Sequence, residues 1–142
     1  MITVLGLDGN PFDQNSIEVI AGRVIKTLVL FKLSGSYATG GDTLDLTNGG
    51  GTAASPTTVP PAQVRGIASI DVRPIAKSTS ALSAVGGSYA VISSGGVLPI
   101  PNSAVNALKL KLYLVTNAEY TAGAYGADAL ADLVCAEITW AR

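Results

Sequence analysis

The sequence predicts an all-β protein: an antiparallel β-sandwich, jelly-roll-like, with long Gly/Pro-rich loops. Three observations carry that expectation. β-Branched and aromatic residues gather in short runs, the clearest of which alternate apolar and polar with a period of two. The runs are separated by turn chemistry, with 16 Gly and 7 Pro in 142 residues. No long segment joins a helical apolar period to a cap and a charged face.

The elements follow in order. Residues 2–5 form a short first strand or the start of an extended arm over residues 1–15, and the sequence leaves both open. Leu7-Asp8-Gly9-Asn10-Pro11 is turn chemistry. Its resemblance to a calcium loop ends there, because the later Gly and the bidentate Glu have no counterparts. Residues 16–33 hold a long β signal through Ile17, Val19, Ile20, Val24, Ile25 and Leu28 to Leu33, with Ala21-Gly22 marking a turn or bulge inside it. Residues 35–41 read as a loop, Asp42–Leu46 as a short alternating strand, and residues 47–61 as a long surface loop of three consecutive Gly and three Pro.

Val64–Ala76 is the next strand, with Pro74 favouring its end or a sheet edge. Residues 77–88 form a loop, Tyr89–Ile92 a strand, 93–96 a turn, and 97–101 an extended piece. In 106–116, Leu108, Leu110, Leu112 and Leu114 alternate with Lys109, Lys111, Tyr113 and Val115, so one face is buried and the other outward. Residues 118–125 are loop or strand, Asp128–Asp132 one helical turn, and Val134–Trp140 the closing strand. The total is seven or eight strands in one domain spanning 1–142, a length that buries a core without staples.

Composition bounds the function. Charged residues are 13% of the chain, against about 25% in typical soluble domains, while hydrophobic residues are 48%. A surface so poor in charge suits one that other protein covers. The nine basic residues are scattered, which argues against nucleic acid as a partner. No apolar run approaches the roughly 18 residues of a membrane span. The N-terminus has no basic n-region, and the expected site of synthesis is the cytoplasm. His is absent, which removes the commonest general base and metal ligand. Cys135 is the only cysteine and reads as a small buried hydrophobe. No phosphate-binding loop or nucleophile elbow occurs.

Two carboxylate pairs invite a hydrolase reading, Asp42 with Asp45 and Asp128 with Asp132. A spacing of three on a strand sends the first pair to opposite faces. Surface solubility accounts for the second. The five Tyr are too dispersed to define a sugar-stacking strip, and Trp140 on an alternating strand fits a core or interface anchor. The expectation is a protein that is not an enzyme and takes no cofactor or metal.

Three stretches carry a family resemblance: Gly35-Ser36-Tyr37 leading into Gly41–Thr47; the Ile67–Ile75 strand; and Leu108–Tyr113 with Ala124-Tyr125 and Val134–Trp140. In their order and over about residues 16–142, the chain resembles the decoration (cement, head-stabilising) proteins of tailed phages. The resemblance implies a virion protein on the outside of the capsid, bound to the major capsid protein, usually as a trimer, bracing the shell against internal DNA pressure. The interface residues it suggests are Ile2, Val4, Leu5, Leu7, Pro11 and Phe12 in the arm, Val59 and Pro60 in the long loop, and Trp140. The rival readings are a tail, neck or fibre-base subunit and a carbohydrate-binding module, with an enzyme third.

Overall fold

The computed structural model describes residues 2–7, 9–10, 18–21, 24–46, 66–76, 88–93 and 107–141. Along the chain run β1 (Ile2–Leu5), β2 (Glu18–Ala21), β3 (Val24–Leu33), β4 (Ser36–Tyr37), β5 (Asp42–Leu44), β6 (Ile67–Ala76), β7 (Ser88–Ser93), β8 (Leu108–Tyr113), β9 (Gly123–Ala124), α1 (Ala127–Ala131) and β10 (Leu133–Trp140). The fold is all-β, with three antiparallel sheets and a single turn of helix among the described residues.

The largest sheet is ordered β1-β3-β10-β6, with β2 also paired to β3. β10 occupies one edge of β3 from Ile25 to Lys32. β1 and β2 therefore share the other edge end to end, β1 opposite Leu30–Leu33 and β2 opposite Val24–Thr27. Residues 2–5 are thus a strand of the sheet. The run 16–33 divides into two strands, with Ala21 opposite Val24. A three-stranded sheet is ordered β5-β8-β7, and β4 pairs with β9 as a two-stranded ribbon.

Period-two alternation decides which side chains are inside. On β8, Leu108, Leu110 and Leu112 are buried and Lys109, Lys111 and Tyr113 are not. On β10, Val134, Ala136, Ile138 and Trp140 are buried, and Leu133, Cys135, Glu137 and Thr139 only partly so. Cys135 is consequently half-buried, on the opposite face of β10 from the core. β6 departs from alternation in sequence, since Ile67 and Ile70 are three apart. A register shift resolves this: Trp140 faces Ile67 while Thr139 faces Ser69, which leaves Ala68 as the extra residue of a bulge. A second shift passes over Ile75, next to Pro74, on a strand that ends its sheet's order. A residue without an N–H is tolerated at such a place.

Buried residues of the two larger sheets form one cluster, with Val4, Val29, Phe31, Ile67, Val134 and Ile138 from one and Leu44, Tyr89, Leu108, Leu110 and Leu112 from the other. The strands at the margins also meet, β6 against β7 and β1 against β5. Three expectations need correction. The segment 35–41, expected as a loop, contains β4, which pairs with β9 in the segment left as loop or strand, and β5 ends at Leu44 rather than Leu46. Asp132 is not a surface residue but 1% exposed. The predicted loops at 47–61 and 77–87 and the extended piece at 97–101 lie outside the described residues.

Leu110 sits at the middle of β8 with strands on both sides. Leu110→Ala should destabilise the protein by about 2–5 kcal/mol in urea unfolding, through lost burial plus a cavity. Lys109→Ala, one position along on the outward face, should stay within about 0.5 kcal/mol.

Candidate functional site

The polar chemistry of the interior is concentrated in three tyrosine–carboxylate pairs. Each links residues far apart in the sequence.

The first is at the start of β5. Asp42, 5% exposed, accepts the Tyr125 hydroxyl on Oδ2 at 2.7 Å and the Ala38 N–H on Oδ1 at 2.9 Å. The second is at the junction of α1 and β10. Asp132 follows the helix and accepts the Tyr89 hydroxyl from β7 at 2.6 Å. This bond ties the edge of the three-stranded sheet to the entry of the central strand of the larger one. The third is Glu119, which is bridged to Tyr113 across a tight turn. Its Oε1 accepts the Tyr37 hydroxyl at 2.8 Å and the Gly40 N–H at 2.5 Å, and its Oε2 accepts Lys111 Nζ at 3.3 Å.

The tyrosine rings also touch one another. Tyr37 packs edge-on to Tyr120 and Tyr125 at centroid distances of 5.6 and 5.9 Å, while Tyr120 and Tyr125 stack at 5.9 Å. Such aromatic pairs add about 0.5–1.5 kcal/mol each beyond their burial. The Tyr120 hydroxyl accepts the Gly126 N–H at 3.0 Å, next to the first turn of α1. The sequence reading that these tyrosines are dispersed is therefore corrected: three of the five converge. Tyr37 and Tyr125 are buried, so the cluster is packing rather than an exposed strip for a sugar.

The approach of the 38–41 turn to β8 explains Gly41. Its φ is +100°, and a Cβ there would lie 3.0 Å from the Leu110 carbonyl oxygen and 3.0 Å from Lys111 Cγ. Only glycine fits both the backbone and the space. Consecutive glycines just before Asp42 were the one sequence signal of this close approach. Nothing in the sequence marked Glu119.

Electrostatics follow from the geometry. Burial pushes the Tyr37, Tyr89 and Tyr125 hydroxyls far above the usual phenolic range, and the carboxylate each one bonds pushes it further. The Tyr37 hydroxyl and the Gly40 N–H, with Lys111 behind them, hold Glu119 below the usual carboxylate range. On the outward face of the large sheet, the Lys26 ammonium at 2.6 Å does the same for Glu137. Every buried polar side-chain atom among the described residues has a hydrogen-bond partner. Among those residues, no group of three or more metal-binding side chains comes together, and no helix is long and apolar enough to cross a membrane.

Of the residues suggested as an interface, Ile2 and Val4 lie in the core and Trp140 is 3% exposed. The Trp140 indole N–H donates to the fully buried Thr27 hydroxyl at 2.8 Å. Leu5 is buried outside that cluster, opposite Leu30 across the strand pair, and Leu7 is exposed. Pro11, Phe12, Val59 and Pro60 lie outside the described residues. Of the carboxylate pairs, Asp42 and Asp132 serve as acceptors for tyrosine hydroxyls, an anchoring role. No protein-family model matches the chain, and no match is found among curated proteins or solved structures.

Tyr89→Phe removes the donor from a carboxylate that is 1% exposed and should cost about 1–3 kcal/mol in chemical denaturation. In an alkaline titration followed at 295 nm, Tyr37, Tyr89 and Tyr125 should stay protonated until the protein unfolds. Their folded-state values lie above the unfolded one, so the stabilisation is complete below about pH 10 and falls as pH rises beyond it. Glu119 has the opposite sign. Its contribution is complete above about pH 4.3 and is lost as pH falls through its own lower value. Glu119→Gln should flatten that part of the acid stability profile.

Proposed function

We propose that this protein is a non-enzymatic structural subunit of a virion, a phage capsid decoration protein that binds the outside of the shell and stabilises it. The observation that carries the reading is how the interior polar groups are used. Asp42, Glu119 and Asp132 each accept a tyrosine hydroxyl from a distant segment, and the buried polar side-chain atoms among the described residues are all partnered. That is the chemistry of a brace. A catalytic carboxylate is instead held near a cleft with capacity to spare for a substrate.

Further support comes from the surface and the fold. With 13% charged residues and a mean hydropathy of +0.42, the chain is suited to being largely covered by protein. The resemblance of its segments to tailed-phage decoration proteins names the cover as the major capsid protein. The finer architecture we infer is a single two-layer β-sandwich, jelly-roll-like. The apolar cluster shared by the two larger sheets and the meeting of their margins at β6 with β7 and β1 with β5 support it. A trimer seated on a capsid symmetry axis would repeat each contact three times and raise the effective affinity of weak individual contacts.

Quantitative mass spectrometry of purified source virions tests the reading. The expected result is a simple ratio of this chain to the major capsid protein, one or one third. A handful of copies per particle would place it in the tail, neck or fibre base, and absence from the particle would overturn the proposal.

A further inference from the structure

At Glu119 three segments of the chain are joined through a single carboxylate. β5 pairs with β8 from Leu44 opposite Leu108 to Asp42 opposite Leu110, whereas β8 runs on to Tyr113 against β7. Past Leu110, the edge of β8 away from β7 is completed by other groups. The Leu112 carbonyl accepts the Tyr120 N–H at 2.8 Å, and the Leu112 N–H donates to the Tyr37 hydroxyl at 3.5 Å. That hydroxyl donates in turn to Glu119 Oε1, which also accepts the Gly40 N–H, while Oε2 accepts Lys111 Nζ. β4, the 38–41 turn and β8 therefore meet on one side chain, held in place by the bridge from Glu119 to Tyr113.

Of the three carboxylates that receive tyrosine hydroxyls, Asp42 and Asp132 are buried, whereas the Glu119 side chain is 25% exposed. Water and protons reach Glu119 without unfolding of the sheets. Its three donors all favour the ionised form. Protonation turns one carboxyl oxygen into a donor and removes the charge that Lys111 pairs with. The Tyr37 hydroxyl and the Gly40 N–H are then left against a neutral acid, a weaker acceptor. Among the described residues, the titratable and charged groups facing this centre come from three strands. They are Tyr37 on β4, Asp42 at the start of β5 behind Tyr37, and Lys109, Lys111 and Tyr113 on one face of β8, with Lys111 Nζ 5.9 Å from the Tyr113 ring centroid. Asp42 is the other carboxylate of this set. It accepts a different amide, the Ala38 N–H, so Ala38 and Gly40 report on the two acids separately.

We infer that Glu119 is an acid-operated latch: ionised, it fastens Tyr37 and the 38–41 turn to the hairpin beyond β8, and protonated, it releases them while the two larger sheets stay packed. The apolar cluster between those sheets does not pass through Glu119, and the bonds from Tyr89 to Asp132 and from Tyr125 to Asp42 remain in place. Opening is therefore local, confined to the few residues whose donors Glu119 collects. The donors hold Glu119 below the usual carboxylate range, so the latch is closed at neutral pH and opens as pH falls below about 4.3. The latch is built from bonds within one chain and stands independently of the virion reading.

The test is amide hydrogen exchange on the full chain, read residue by residue by NMR from about pH 6 to about pH 2.5, with each rate divided by the intrinsic rate of that amide at that pH. The Gly40 N–H should lose at least about tenfold in protection on acidification, the scale of one hydrogen bond to a charged acceptor. The midpoint should fall below about pH 4.3. The Ala38, Leu110 and Ile138 amides should keep their protection across the same range. Glu119→Gln should hold Gly40 at its acid level of protection throughout, and Lys111→Met, which removes the paired cation, should move the midpoint upward. Unchanged protection at Gly40 overturns the latch, and so does a loss shared equally by Leu110 and Ile138, which is global unfolding. A loss that persists in Glu119→Gln, or that appears at Ala38 and not at Gly40, assigns the titration to Asp42 and overturns it too. If Glu119→Gln does not fold, Lys111→Met decides, and a midpoint that fails to rise overturns the inference.

Discussion

Two sheets that bury leucine, valine and phenylalanine against each other are held by a force with no direction, and such a contact tolerates sliding. The three tyrosine–carboxylate bonds remove that freedom. Tyr89 to Asp132 fixes the edge of the three-stranded sheet to the entry of β10. Tyr125 to Asp42 fixes the segment before α1 to the first residue of β5. Tyr37 to Glu119 fixes the β4–β9 ribbon to the hairpin beyond β8. Each is short and angle-dependent, and those to Asp42 and Asp132 are buried while that to Glu119 is partly so. The apolar cluster supplies most of the stabilisation, and these bonds select one arrangement of it.

The strands were legible in the sequence because a half-buried strand must alternate. Leu108, Leu110 and Leu112 against Lys109, Lys111 and Tyr113 announced β8, and Val134–Trp140 announced β10. The helical turn at residues 127–131 was legible from Asp128–Asp132. Pro74 at a bulged, edge-placed strand follows from its missing N–H. The candidate site was not legible. Its partners lie 43, 82 and 83 residues apart, and pairing at that distance leaves no local spacing to read. Asp132 looked like a solubility residue because burial of a carboxylate depends on a donor that only the fold delivers. The tyrosines looked scattered because their neighbourhood exists only after β4, β8 and β9 have come together.

The same features bear on what the protein is suited to do. A carboxylate that already receives a tyrosine hydroxyl and a backbone N–H, as Asp42 and Glu119 do, is anchored as a structural acceptor. At the hairpin beyond β8, Glu119 gathers contacts from Tyr37, Gly40 and Lys111 while bridging Tyr113.

The placement of β10 has a consequence for how the protein comes into being. It is the last strand in chain order, yet it lies between β3 and β6, pairing with both along most of its length. During synthesis β3 and β6 emerge with no partner in common, and their facing edges stay open until β10 arrives. The large sheet is therefore assembled by insertion of a late strand into a waiting slot, a step that depends on contacts distant along the chain and is correspondingly slow. Open strand edges on unfinished chains are the surfaces on which nascent proteins cross-pair. A chain of this design is most exposed to aggregation in the interval between translating residue 76 and residue 133.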